Sequence, residues 1–218
     1  QPSLPTASRT TRTSSPSVSE STIVPANSWN WVARTIVYGD DPFRTNESTV
    51  DAYDAFNEAA AVSPAGARGV MYLPWLRGSI APKADGRMRG GFVNIGLDTD
   101  RHDMARALLE GVALNFRWLH DSVEKFVKRT SSHVVFYGGG AMSPLWSQIM
   151  ADVLELPVHR LADPRHANSL GTGLLALERM GVIGHDDVVR IPTVSAVFEP
   201  NAANRELYRE RAAHLQQA

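Results

Sequence analysis

Three consecutive glycines, Gly138, Gly139 and Gly140, stand directly after an apolar run and directly before Ala141-Met142-Ser143-Pro144. Ser143 suits the N-cap of a helix, where its hydroxyl accepts a free amide, and Pro144 suits the first helical position. Glycines between a strand and a capped helix let the backbone approach a ligand closely and turn N–H groups toward it. Phosphates and nucleotides are held in this way. Each contact at a helix terminus contributes about 0.3–1 kcal/mol, so such a turn needs further contacts to bind a nucleotide usefully. A tight structural turn explains the same three residues, and the run alone leaves both readings open.

A second glycine pair, Gly171 and Gly173, lies near the start of a helical segment, Asn168 to Ala176. Glycine there costs about 1 kcal/mol relative to alanine, so it needs a reason. Close packing of the helix is the plain one; proximity to a nucleotide or a hinge is the other. The seven histidines, at positions 102, 120, 133, 159, 166, 185 and 214, show no ligand spacing backed by a carboxylate, and no metal ligands are assigned. No G-x-S-x-G elbow surrounds Ser143, whose cap role accounts for it. Glu110, four residues after Arg106, reads as half of an ion pair and not as a general base. No catalytic residue is assigned.

Composition narrows the class. The 218 residues are 43% apolar and 21% charged, with 22 Lys+Arg against 23 Asp+Glu, which is ordinary for a globular chain. Near-zero net charge argues against nucleic acid as the main partner. No run approaches 18 apolar residues, so no membrane span is expected. The absence of cysteine excludes thiolate zinc sites, iron–sulfur clusters and cysteine nucleophiles, and it fits a reducing compartment; a cytoplasmic protein is expected.

The elements that must position these residues follow from patterning. Residues 1–22 hold 12 Ser or Thr and almost nothing apolar, and read as a disordered segment. Residues 23–218 read as one domain. Trp29, Trp31, Val32 and Ile36 have helical spacing, and a second helix is expected from about Val50 to Ala61. Gly69 to Leu76 predicts a buried strand, followed by a Gly-, Pro- and Arg-rich loop from Arg77 to Gly91. Met104, Leu108, Val112, Phe116, Leu119, Val123 and Phe126 form one stripe on a long helix from about Thr99 to Lys128, with Arg106 and Glu110 off it. His133 to Tyr137 predicts a buried strand running into the triple glycine. Leu145, Trp146, Ile149, Met150, Val153 and Leu154 give the apolar face of the helix behind Pro144. A short strand at Pro157 to Leu161, a helix from Asn168 or Ser169 ended by Gly181, and a polar, peripheral helix from about Asn204 to Gln217 complete the chain. Strand, glycine turn, helix, strand, helix is the rhythm of an α/β domain.

Five segments carry a resemblance: Pro74 to Gly78 (PWLRG), Arg89 to Phe92 (RGGF), Arg106 to Asn115 (RALLEGVALN), Gly138 to Leu154 (GGGAMSPLWSQIMADVL) and Ala167 to Ala176 (ANSLGTGLLA). In this order and spacing they resemble the C-terminal domain of the FGGY family of carbohydrate kinases, in its xylulokinase-like branch. The resemblance covers roughly Trp29 to Pro200. It implies a ribonuclease-H-like, actin/hexokinase-type ATPase domain, the C-terminal lobe of a sugar kinase, in a family that uses ATP and Mg2+ to phosphorylate a sugar or polyol hydroxyl. It also implies that Gly138, Gly139 and Gly140 line adenosine and the α-phosphate with Ala141 and Ser143 beside them. Gly171 would be the close-packing glycine of the following motif, while Gln148 and Asp152 hold the helix in place.

Departures from the family pattern shape the expectation. Family members are about twice this length, and their N-terminal domain supplies the sugar pocket and the catalytic and metal-organising aspartates. Thr13-Ser14-Ser15 resembles the family's Gly-Thr-Ser phosphate loop, but Arg12 stands where glycine is expected. Gly78-Ser79-Ile80-Ala81-Pro82 stands where the family has Gly-Glu-Arg-x-Pro. The chain is therefore expected to be the ATP-side lobe of a sugar kinase, inactive alone and taking sugar only when an N-terminal lobe is supplied. The alternative is a non-catalytic remnant with weak or no nucleotide binding. A lobe built to face another should expose apolar surface, expected here between Pro74 and Phe92, with self-association as the consequence.

Overall fold

A computed structural model describes residues 52–218. The expected disordered segment, the Trp29–Ile36 helix and the Thr13-Ser14-Ser15 loop lie outside the described residues.

The fold is organised on one long helix. Helix α1 (Ala52–Val62) is followed by the hairpin-like pair β1 (Met71–Leu73) and β2 (Gly91–Val93), which are antiparallel with Tyr72 opposite Phe92. Helix α2 (Arg101–Val127) starts at a capping box: Asp100 accepts from the amides of His102 (2.8 Å) and Asp103 (3.0 Å), and Asp103 accepts from the Asp100 amide. It ends at Lys128, whose φ of 52° is left-handed. Strand β3 (Val134–Phe136), helix α3 (Pro144–Leu154) and strand β4 (Val158–Leu161) form an α/β unit with parallel strands. Helices α4 (Ala167–Arg179) and α5 (His185–Arg190) lead to β5 (Val194–Phe198), antiparallel to β4, so the sheet order is β3-β4-β5. Helix α6 (Arg205–Gln217) closes the chain.

The N-terminal half of α2 is buried on every side, because α1, β1, α3 and α6 surround it. Gly111 is required there: a Cβ would collide with the carbonyl of Tyr72 on β1. The expected single apolar stripe therefore holds only in part. Leu108 and Val112 are buried, Val123 and Phe126 are exposed, and Arg106 and Glu110, placed off the stripe by periodicity, lie in the interior. Glu110 accepts from Arg106 Nε (2.8 Å), the Gly66 amide (2.9 Å) and the Tyr208 hydroxyl (2.9 Å), while Arg106 also donates to the Ser63 carbonyl. The three bonds to Glu110 all fall on Oε1 and replace water lost on burial; Oε2 makes no hydrogen bond and faces the Arg211 guanidinium at 3.7 Å.

Three further expectations are corrected. The strand expected over Gly69–Leu76 is three residues long, because Pro74 cannot continue the ladder. The expected Arg77–Gly91 loop, by contrast, holds, and it leads into β2 at Gly91. His133–Tyr137 is not a buried strand: one face packs on α3 and the other, with Val135 and Tyr137, is exposed. The last helix is not peripheral, since Tyr208, Arg211, Ala212 and Leu215 are buried against α2, with Arg211 donating to the Val70 carbonyl. The Schellman end of α4 is as expected: Gly181, at φ 71°, donates to Glu178 and Val182 donates to Leu177.

Two predictions follow from these anchors. Glu110→Ala strands the Arg106 guanidinium and is expected to cost about 3–5 kcal/mol, against about 1–2 kcal/mol for Tyr208→Phe, measured by urea unfolding. Glu155 at the end of α3 receives Arg209 (2.8 Å) and Arg117 (2.8 Å), and the bond from Arg209, helped by Arg117, holds its carboxyl below the ordinary 4.5 despite burial. A depressed folded-state value stabilises above pH 4.5 and is lost as pH falls through it. The wild type should therefore lose more stability than Glu155→Gln on acidification below that point, read as the difference in unfolding midpoint.

Candidate functional site

The glycine turn sits at the carboxyl end of β3, a position where α/β sheets carry ligand sites. Gly138 has φ 91° and ψ −176°, a backbone conformation open chiefly to glycine, and its amide donates to the Pro164 carbonyl (2.6 Å). Residues Gly139–Met142 form a single 3-10 turn in which the Ala141 amide bonds to Gly138 (3.2 Å) and the Ser143 amide to Gly140 (3.1 Å). Gly140 is fixed by packing: a Cβ would lie 2.7 Å from the Trp146 ring, which is itself held by its indole N–H on the Leu109 carbonyl of α2 (3.1 Å).

Gly139 differs from its neighbours. Its φ is not left-handed, it is exposed, and a Cβ would meet no atom within 4 Å among the described residues. The amides of Gly139 and Gly140 make no hydrogen bond among the described residues. The structural-turn reading accounts for Gly138 and Gly140, and the first two amides of any such turn lack a partner within it, but nothing in the packing requires glycine at position 139. Close approach of a ligand would account for a bare residue there.

The flanking residues are committed to holding the turn. Ser143 caps α3 by accepting from the Trp146 amide (3.1 Å), and its hydroxyl donates to Asn57 of α1 (2.6 Å). Ala141 is fully buried. Gln148 donates to Asp152 (2.7 Å) and the Glu199 carbonyl (2.8 Å), and Asp152 accepts from the Asn201 amide and the Asn204 side chain, so this pair ties α3 to the chain entering α6. The role of helix-holding residues expected of Gln148 and Asp152 matches this geometry. Asn57 was not legible in sequence, since it lies 86 residues from Ser143.

Gly171 departs from expectation. Neither it nor Gly173 packs closely, since a Cβ at either would meet no atom within 4 Å among the described residues. Gly171 instead lines an open groove of about 570 Å3 between α4 and the outer face of the sheet, together with Asn168, Thr172, Tyr137 and the stacked rings of His133 and His159. The glycine turn is not part of that groove; it adjoins it through Tyr137 and the Gly138–Pro164 bond. Among the described residues no group of three or more His, Asp or Glu side chains converges to hold a metal ion, and no helix is long and apolar enough to cross a membrane.

A parallel α/β unit, a glycine turn after its first strand and a capped helix behind it form an α/β domain of the kind that carries ligand sites at its strand ends. Comparison gives its family. Residues 18–179 match the FGGY family of carbohydrate kinases, C-terminal domain. The chain is 31% identical over 195 residues to a xylulose kinase of Staphylococcus epidermidis, covering 87% of this chain and 36% of that protein. It is 34% identical over 168 residues to an autoinducer-2 kinase of Klebsiella pneumoniae, covering 74% and 31%. The crystal structure of xylulose kinase from Rhodospirillum rubrum superposes with a TM-score of 0.71 at 30% identity, over 88% of this chain and 37% of that one. The chain belongs to the FGGY family of carbohydrate kinases, has the actin/hexokinase-type fold of its C-terminal domain, and spans about a third of the length of the relatives it matches.

The glycines separate experimentally. Gly140→Ala must displace Trp146 and is expected to cost about 1–3 kcal/mol, whereas Gly139→Ala should leave stability unchanged or raise it by up to about 1 kcal/mol. Thermal unfolding of the two variants beside wild type checks this.

Proposed function

We propose that the chain is the ATP-side lobe of a carbohydrate kinase, which transfers the γ-phosphoryl group of ATP to a hydroxyl of a sugar or polyol. The observation that carries this reading is exposed Gly139, at which packing does not require a glycine, with the amides of Gly139 and Gly140 unbonded among the described residues, in the segment that matches the family. Backbone donors at this point suit the oxygens of a ribose or an α-phosphate. Gly138, with its left-handed φ, turns the chain to expose them; Ala141 and Trp146 anchor the turn beneath, and Ser143 fixes the start of α3. Gly171, bare of side chain on the α4 side, leaves the approach from that helix open.

Phosphoryl transfer depends on positioning and on stabilising charge between the nucleotide and the accepting hydroxyl. The described residues do not form a seat for Mg2+, so on this reading the ion enters with the nucleotide phosphates and is organised by another lobe. The sugar contacts and the base that takes the hydroxyl proton lie on that lobe as well. The relatives named as xylulose kinases favour a xylulose-like acceptor. Alone, the chain binds nucleotide without turning it over.

Calorimetric titration of the folded chain with Mg-ATP and with ADP tests this. Millimolar or tighter binding that disappears in Gly139→Asp, which fills the turn and adds a negative charge, is the expected result. No heat and no thermal shift from a folded protein would overturn the nucleotide site and favour a non-catalytic remnant.

A further inference from the structure

The Pro74–Phe92 region, where exposed apolar surface was expected, is largely closed: Trp75 is buried and Phe92 lies on Tyr72 at 4.9 Å. The group left unused is instead a cation at the carboxyl end of the sheet. Strands β3 and β4 are parallel, so the loops that leave them emerge on the same side, the side on which α/β domains bind ligands. The first loop is the glycine turn and the second runs from Asp163 to His166. The two are fastened together, because the Gly138 amide donates to the carbonyl of Pro164 (2.6 Å), a buried residue. That carbonyl shares its planar peptide with the Arg165 nitrogen, which puts the Arg165 Cα within about 5–6 Å of the Gly138 nitrogen. An arginine side chain is long enough to span such a gap and reach a ligand lying on the turn.

Four basic residues lie on β4 and this loop, and three of them are engaged. The His159 ring stacks on His133 (4.2 Å between centroids), the Arg160 guanidinium lies over the Phe198 ring (5.7 Å), and His166 Nδ1 is bonded to the Asp163 carboxylate (2.9 Å). Arg165 is exposed and makes no hydrogen bond or ion pair among the described residues, since the one carboxylate of its loop is turned onto His166. The glycine turn offers backbone donors and no positive charge. A phosphate group carries the opposite charge, and a guanidinium meets it with two parallel N–H bonds. We propose that Arg165 is a phosphate-binding residue of the site at the turn, its guanidinium meeting the nucleotide phosphates from the β4 side while the glycine backbone approaches from the β3 side. The assignment rests on the nucleotide reading of the turn.

The test is calorimetric titration with ADP of the full 218-residue chain, of Arg165→Gln and of Arg165→Lys, each at low and at high salt, with thermal unfolding of the same samples. Arg165→Gln is expected to weaken ADP about tenfold at low salt and to flatten the loss of affinity on adding salt. Its melting temperature should equal that of wild type, because the side chain has no partner to lose. Arg165→Lys keeps the charge without the planar fork, so it should keep the salt dependence and fall between the other two in affinity. Wild-type affinity for ADP in Arg165→Gln overturns the assignment. So does a loss of affinity with an unchanged salt dependence or a lowered melting temperature, which would mark a structural role. Failure of the nucleotide reading looks different: wild type itself then gives no heat with ADP, and the turn and Arg165 lose their roles together. Where wild type binds, Gly139→Asp abolishes binding through the turn, and the Arg165 variants report on the phosphate contact alone.

Discussion

A carboxylate at Glu110 sits in the middle of the longest helix with no exposure to solvent, and most of the architecture can be traced to how that charge is satisfied. Burying an ionised group costs several kcal/mol unless partners replace its water. Here Arg106 comes from the same helix, the Gly66 amide from the turn before β1, and the Tyr208 hydroxyl from α6, with Arg211 at 3.7 Å from the other carboxylate oxygen. Burial, reinforced by the neighbouring carboxylate, pushes the Tyr208 phenol well above its ordinary range, so it remains a donor at any physiological pH. Three elements far apart in sequence are held to one point. Once β1 is fixed there, its Tyr72 carbonyl presses on α2 where only Gly111 leaves room.

The site inherits its geometry from this body. The Leu109 carbonyl, one residue before Glu110, receives the Trp146 indole, and the Trp146 ring in turn dictates glycine at position 140. From the other side, α1 reaches the cap of α3 through Asn57 and Ser143. The turn is therefore clamped between two helices that belong to the core, which leaves its free amides preorganised and not adaptable. Preorganised donors bind with less entropic cost than donors on a loop that must be ordered first.

How much of this was legible in the sequence follows from the range of each interaction. The cap at Ser143-Pro144, the apolar face of α3, the Schellman end at Gly181 and the glycine turn are local patterns, and each appears where patterning put it. The interior position of Arg106 and Glu110 was invisible to periodicity, because polar residues are read as surface unless their partners are known, and Tyr208 lies 98 residues from Glu110. The same blindness made α6 look peripheral: its buried residues include Arg211, and its pattern is polar apart from a few anchors. Gly139 shows the opposite limit. Sequence could not separate it from Gly138 and Gly140, and only the geometry shows that two of the three glycines are required by the fold.

That separation bears on what the lobe can contribute to a kinase. A ligand held through backbone amides is recognised by its oxygens and not by a particular side chain, so on the proposed reading the turn selects for a nucleotide's phosphate or ribose and carries no information about the sugar. On that reading, specificity for the acceptor resides outside this turn.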